Sequence, residues 1–379
     1  MGGSLVVLGD ADVHSLLMNL TRDEILAFQD SLIQALLSVS STGEEAKYQP
    51  TPGVVNRPNG QKVLFRPFTS PDAVGTKIIV DPAPVEDAEG VPRRGPLHGA
   101  LVVCDATGIP RGLINAEEVT GYRTSLSALI PFMWRRTVEN VVIFGAGKQA
   151  LWHLRLALGL RGAEVKKVTA VNRSEAKARA LLGQVRDENQ SHWKSDVDLS
   201  ASFDLSADNR EKVEEALTSA DVIFCTVPST SVLFSLEAVL GRGKRQKNPL
   251  ITAIGSWQPQ MIELDPAILK HAVQSAPNSS APRGHVLVDD LEEVVHKSGE
   301  LIQSGLKAED VFEVGRVASW LQQKEASSEH PNPKVKEENL SDGFLVYKSI
   351  GVGVTDLVAG NKILELATKK SLGTAVADF

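Results

Sequence analysis

VVIFGAGKQALWHLRLAL, residues Val141–Leu158, decides the fold. Its apolar start, ending at Phe144, has the continuous hydrophobicity of a strand buried on both faces. From Lys148 onward apolar residues recur at helical spacing. Between the two, Gly145 permits a sharp turn and Gly147 lets the backbone approach a pyrophosphate, whose charge the amides and dipole of the helix N-terminus would hold. Ala150 takes the third position of this glycine fingerprint, where helix and strand pack closely. A turn without a ligand is the competing reading, because a lone fingerprint is weak evidence. Here a strand precedes it, a helix follows it, and a second strand, KKVTAVNRS (Lys166–Ser174), comes next. That is the context dinucleotide binding requires.

Downstream, helical stretches from Glu175 and near Lys212 alternate with ADVIFCTVPS (Ala220–Ser229) and NPLITAIGS (Asn248–Ser256). Strands alternating with helices at this spacing make βαβ units and a parallel sheet. The second strand ends in Asn172 and Arg173, where NAD-binding sheets carry an acid for the ribose hydroxyl. An arginine suits a 2′-phosphate and no acid repels it, so the expected cofactor is NADP(H), with Ser174 assisting. A solvated strand-end charge is the alternative for Arg173. The cofactor-binding candidates are Gly145, Ala146, Gly147, Lys148 and Gln149 at the turn, Asn172, Arg173 and Ser174 after the second strand, and Thr226 and Val227 after the third.

Upstream, Leu5–Val7 reads as a strand, and Asp10–Leu17 and Thr21–Leu37 as helices. Thr21 and Glu24 form a capping box ahead of apolar Ile25, Leu26, Phe28, Leu32 and Leu36. From Val63 to Val80 and from Gly99 to Leu113, β-branched residues punctuated by prolines and glycines predict an antiparallel sheet. A helix is expected from Ala116 to about Met133. Asp187–Asn209 and Gln322–Leu340 are polar and look inserted, the second reading as a mobile surface loop. Phe344–Tyr347 reads as one more strand and Asp356–Thr368 as a terminal helix.

A chain of 379 residues exceeds what one core usually organises, so two domains are expected. The net charge of -7 leaves no footprint for nucleic acid, and the basic run Arg242, Lys244, Arg245 and Lys247 reads as a solvated loop. No apolar stretch approaches the roughly 20 residues that span a bilayer. The N-terminus, with Asp10 and Asp12, has no basic leader. A cytoplasmic protein without nucleic-acid or membrane partners is expected. Cys104 and Cys225, inside LVVC and VIFC, suit buried thiols and not a disulfide or a metal site.

Further motifs stand in order along the chain: VGTKIIV (Val74–Val80), GYRTSLSALI (Gly121–Ile130), FGAGKQA (Phe144–Ala150), VNRSEAKA (Val171–Ala178), AIGSWQPQMIELD (Ala253–Asp265), VLVDDLEEVVHKSGEL (Val286–Leu301) and VYKSIGVGVTDLVA (Val346–Ala359). With them the chain resembles the ornithine cyclodeaminase and mu-crystallin family over most of its length. The resemblance implies an α/β fold, with a Rossmann NADP(H)-binding domain over 131–342 inserted into an α+β substrate-binding and dimerisation domain of 1–130 plus 343–379. It also implies a homodimer.

The same resemblance assigns roles. Lys77 would lie by the substrate carboxylate and the nicotinamide and relay a proton, its pKa lowered by burial. Arg123 would grip the carboxylate with its planar fork. Lys348, Ser349 and Gly351 belong to the segment passing beside the nicotinamide. Asp356 is either a catalytic group or a helix N-cap. A second family arginine is missing, its place falling at Pro52, and Arg66 either substitutes for it in the pocket or lies on the surface. Cyclodeaminases carry an aspartate where this chain has Trp257, which cannot do acid-base chemistry and would instead wall the substrate pocket.

These features imply an NADPH-dependent reductase delivering hydride to the C=N bond of a cyclic or N-substituted 2-imino carboxylate, a small-molecule imino or amino acid substrate. Two alternatives stay open: an ornithine cyclodeaminase making proline and ammonia, and a mu-crystallin-like protein that binds NADP(H) and a small ligand without turnover.

Overall fold

In the computed structural model, residues 4–86, 92–93, 95–256, 258–274, 284–326, 335–377 and 379 are described. The chain divides into two compact units, Met1–Arg123 with Val352–Phe379, and Thr124–Gly351.

The first unit begins with β1 (Leu5–Leu8), α1 (Asp10–Met18) and α2 (Arg22–Ser38). The capping box forms as its residues dictate: the Glu24 amide donates to Thr21 Oγ1 (3.2 Å) and the Thr21 amide to Glu24 Oε2 (2.8 Å). There follow β2 (Gly53–Asn56), β3 (Lys62–Thr69), β4 (Ala73–Asp81), β5 (His98–Asp105), β6 (Pro110–Asn115) and α3 (Ala116–Ala128). The helix expected to run to Met133 ends at Ala128, and Leu129 caps a short second helix that has Pro131 in its first turn.

The second unit is built on β7 (Asn140–Phe144), β8 (Lys167–Val171), β9 (Asp198–Phe203), β10 (Val222–Cys225), β11 (Leu250–Ala253), β12 (His285–Val288), β13 (Val311–Glu313) and β14 (Leu345–Lys348). Helix α4 (Lys148–Arg161) follows β7 and α5 (Glu175–Ser191) follows β8. The chain then returns to the first unit with α6 (Gly353–Lys369) and β15 (Thr374–Val376).

Among the described residues, the first unit's sheet has seven strands in the order β15-β1-β6-β5-β4-β3-β2, antiparallel except for the β1–β6 pair. One face, carrying Lys77, Ile79, Leu101, Val103 and Ile114, is buried and packs against α6. The other is apolar yet partly open, with Val55, Phe65, Ile78, Val102 and Leu113 along it.

The second unit's sheet is parallel throughout, in the order β9-β8-β7-β10-β11-β14-β12-β13. Its middle strands are fully buried, Ile143, Ile223, Ile251 and Val346 among them, which explains their unbroken apolar runs. The ladders place Phe203, Val171, Phe144, Cys225, Ala253, Lys348, Val288 and Glu313 in one row. All the strands therefore end along one edge, and the order reverses between β7 and β10, where parallel sheets bind ligands.

Three sequence expectations are corrected. Asp187–Asn209 contains the end of α5 and the edge strand β9, whose alternating DLSASF pairs on one side only. Strand β14 pairs with β11 and β12, so it belongs to the second unit, and the boundary falls at Gly351 instead of at residue 343. Arg245 is not solvated: its guanidinium donates to the carbonyls of Val239, Ala220 and Leu217 and locks the turn. Of Gln322–Leu340, residues 327–334 lie outside the described residues, while helices Val314–Ala326 and Glu337–Asp342 enter it from either side.

Among the described residues, no helix is long and apolar enough to cross a membrane, and no group of three or more His, Cys, Asp or Glu could hold a metal ion. Cys225 is buried and Cys104 partly buried; neither is in a disulfide.

Candidate functional site

Candidate residues gather in two places, one in each unit. In the first unit, the alternation of β4 turns Lys77 inward between Gly75 and Ile79, and its side chain is only 2% exposed. Its ammonium donates to Asp356 Oδ1 at 2.7 Å and to Thr120 Oγ1 at 3.3 Å. Arg123, on α3, donates through Nε to the same Oδ1 at 2.9 Å. Arg66 is the cross-strand partner of Lys77, hence on the same face of the sheet. Asp356 is not an N-cap: Val352 holds that position, and Asp356 sits in the first turn of α6, where the helix dipole favours a carboxylate.

Burial is the main influence on Lys77, lowering its pKa to about 7; Asp356 opposes the fall, and Arg123 and Arg66 deepen it. Burial alone would raise the Asp356 carboxyl, but Arg123, Lys77 and Arg66 together hold it below the usual range. The cluster thus keeps an ionised carboxylate beside an ammonium that can lose its proton near neutrality. Asp356 Oδ2 is buried without a hydrogen-bond partner among the described residues. Lys77, Arg123 and Arg66 all act on the one Asp356 carboxylate.

In the second unit, Gly145 turns the chain with φ of +111°, and its amide donates to the Val171 carbonyl at 2.9 Å. A Cβ at Gly145 would come within 2.5 Å of Thr226 Oγ1, so only glycine lets the loops meet. Gly147 is the N-cap of α4, and the space where its Cβ would stand is open. Together the bare turn, the open space and the uncapped helix start form a cradle of the right chemistry for a pyrophosphate.

Arg173 is exposed one residue beyond half-buried Asn172, itself just past the end of β8. The Ser174 hydroxyl is taken up as the N-cap of α5. Lys148 is exposed at the turn, and the Gln149 side chain accepts from the Ser125 hydroxyl at 3.4 Å.

Lys348 ends β14 with its side chain turned into the unit. Its side chain is fully buried, and Nζ donates to the Ser256 carbonyl (2.5 Å) and hydroxyl (2.7 Å) inside the unit. Asp289 holds the next few residues, accepting from the Ser349 hydroxyl (2.6 Å) and the Gly351 amide (2.7 Å). Trp257 lies outside the described residues.

Besides Asp289, two buried groups escaped the sequence reading. Glu263 accepts amides from Val227, Gly255 and Ser256, and Glu300 accepts the Ser256 hydroxyl and the Glu263 amide. Burial pushes Glu263 up to about 7 against the pull of Lys348 and the amides. Burial also raises Glu300, but Lys348 and its hydrogen bonds bring it below the usual value. The only signal for Glu263 was its place between Ile262 and Leu264 in an apolar stretch.

No family profile matches the chain. A Dictyostelium discoideum protein named as an uncharacterized cyclodeaminase is 27% identical over 280 residues, 70% of this chain and 69% of that protein. The Δ1-pyrroline-2-carboxylate reductase of Bacillus cereus is 26% identical over 288 residues, 74% of each chain. The ketimine reductase mu-crystallin of Macropus fuliginosus is 26% identical over 342 residues, 88% of this chain and 90% of its own. Among solved structures, the Thermococcus litoralis Δ1-pyrroline-2-carboxylate reductase in complex with NADH and L-proline matches with a TM-score of 0.71. That match covers 98% of this chain and 100% of the other at 17% identity, a likeness of fold.

Proposed function

We propose, since this chain belongs to the ornithine cyclodeaminase and mu-crystallin family, that it is an NADPH-dependent reductase of cyclic or N-substituted 2-imino carboxylates. The observation that carries the reading is the Lys77–Asp356–Arg123 cluster with Arg66 beside it. A carboxylate ligand fits this cluster, where Arg66 and Arg123 offer planar guanidinium groups for a bidentate grip.

When bound, the reduced nicotinamide supplies the hydride that the imine carbon accepts, breaking the C=N π bond. Lys77 gives the accompanying proton to the imine nitrogen and, as a free amine, recovers one from water. Asp356 keeps Lys77 charged and oriented, and its unpartnered Oδ2 can accept the N–H that the product gains. The bare turn at Gly145–Gly147 serves the pyrophosphate, and Arg173, with no acid at the neighbouring position 172, serves the 2′-phosphate.

The second reading, a cyclodeaminase, has a relative of that name in its favour. It also needs an acid where this sequence has Trp257. We further propose a homodimer formed through the open apolar face of the first unit's sheet, since a monomer rarely leaves so continuous a patch in water. The cytoplasm is the compartment that suits its two unpaired thiols.

The deciding experiment mixes purified protein with NADPH and pyrroline-2-carboxylate or piperideine-2-carboxylate and follows absorbance of the reduced cofactor. Steady consumption is expected. No consumption, together with conversion of ornithine to proline and ammonia at catalytic cofactor, overturns the reductase reading in favour of the second.

A further inference from the structure

We infer that Glu263 is a positioning residue for the dinucleotide: its carboxylate ties the loop after β10 to the loop after β11 and so fixes the wall of the phosphate turn. The inference rests on reading the Gly145–Gly147 turn as a dinucleotide site.

Glu263 Oε1 accepts the Val227 amide at 2.8 Å, while Oε2 accepts the amides of Gly255 (2.6 Å) and Ser256 (3.2 Å). Beyond the ends of β10 and β11 these amides leave the sheet ladder, and buried donors need some partner. The carboxylate supplies it for both loops at once. The loops also touch directly, since a Cβ on Gly255 would fall 2.2 Å from the Val227 carbonyl oxygen.

From Val227 the coupling continues to the turn. Val227 Cγ2 and Thr226 Oγ1 lie 3.4 and 2.5 Å from where a Cβ on Gly145 would stand. Val227 and Thr226 therefore wall the turn at Gly145, and Glu263 holds the Val227 amide.

The residue type is specific to this task. An ionised carboxylate only accepts, so all three amides can point at it, whereas an amide side chain would aim its NH2 at one loop, donor against donor. The Val227 and Gly255 amides and Lys348 favour the charge against burial and the neighbouring Glu300 carboxylate; Glu300 Oε1 accepts the Glu263 amide at 2.7 Å and the Ser256 hydroxyl at 2.5 Å, and Lys348 holds Ser256 from the other side. Glutamine at 263 would leave Glu300 and Lys348 as a balanced pair but turn an NH2 toward the amides of one loop, so its effect should appear in loop geometry as well as in the melting temperature.

The test titrates NADPH fluorescence with wild-type, Glu263→Gln and Glu263→Asp proteins and records their thermal melting. Leaving buried amides unsatisfied should weaken NADPH binding on the order of tenfold in folded Glu263→Gln protein, alongside a lower melting temperature. Glu263→Asp, one methylene short of spanning both loops, should fall between it and wild type. A purely structural role lowers the melting temperature but leaves the affinity of the folded protein unchanged, and that result overturns the inference. If neither variant folds, amide exchange of the dinucleotide-free wild type decides. Val227, Gly255 and Ser256 should then be protected like strand amides, and rapid exchange there refutes the clamp. A wild type that binds neither NADPH nor NADH refutes the dinucleotide reading instead, and the exchange measurement still judges the clamp.

Discussion

Arg66 stands directly opposite Lys77 across the β3–β4 ladder, so both side chains leave the sheet on the face that meets α6. The expected place for a second carboxylate-binding arginine, at Pro52, lies instead in the segment before β2. If Arg66 has taken over that role, Arg66→Gln should raise KM for the imino acid by about 10–100-fold, the value of a charge-assisted hydrogen bond, while kcat and NADPH affinity change little. Steady-state kinetics at saturating NADPH check this; an unchanged KM would mean that Arg66 does not grip the substrate.

The lowered pKa of Lys77 makes a prediction about pH. Reduction needs the ammonium as proton donor, so kcat/KM should be level below about 7 and fall with unit slope above it. Oxidation of the amino acid product needs the free amine and should show the opposite limb, rising through the same value. Lys77→Arg stays protonated throughout this range and should abolish the inflection along with most of the activity. A reductive profile that is flat from pH 6 to about 9 would remove Lys77 from proton transfer.

The parallel core was legible because fully buried strands must be apolar along their whole length, and the Thr21–Glu24 box was legible because capping is local. The Lys77–Asp356 pair was visible only as two separate motif matches: 279 positions separate the residues, and a sheet and a helix bring them together. Strand β9 escaped notice because an edge strand needs no continuous apolar run. Strand β14 was seen as a strand but assigned to the wrong unit, since LVYK carries no mark of which neighbour it pairs with. Glu263, Glu300 and Asp289 were illegible for a similar reason. A carboxylate survives burial only through partners supplied by distant loops, and those partners leave no local pattern.

Arg173 offers a direct check on cofactor choice. Arg173→Ala should weaken NADPH by about 10–100-fold and leave NADH within about twofold, because only the former carries the phosphate that a guanidinium would grip. Fluorescence titration with both dinucleotides reads the ratio. Equal losses would mean that the exposed arginine acts as a general surface charge, and the 2′-phosphate assignment would fall.

The open face of the first unit's sheet makes the final prediction. Phe65, Ile78 and Ala100 lie in one cross-strand row on that face, with Val55 and Leu113 toward either side. Phe65 is 42% exposed within this surface and Val55, on the edge strand, 46%. A second copy covering this row would bury it, and a charge placed there would then be buried without a partner, at a cost large enough to break a standard-sized interface. Ile78→Glu should therefore convert a dimer into a monomer, as measured by light scattering after size exclusion. Because residue 78 points away from the face that carries Lys77, the fold of the separated chain should survive, and far-ultraviolet circular dichroism should match the wild type. A wild-type protein that is already monomeric, or an Ile78→Glu protein that remains dimeric, would show that this face is not where two copies meet.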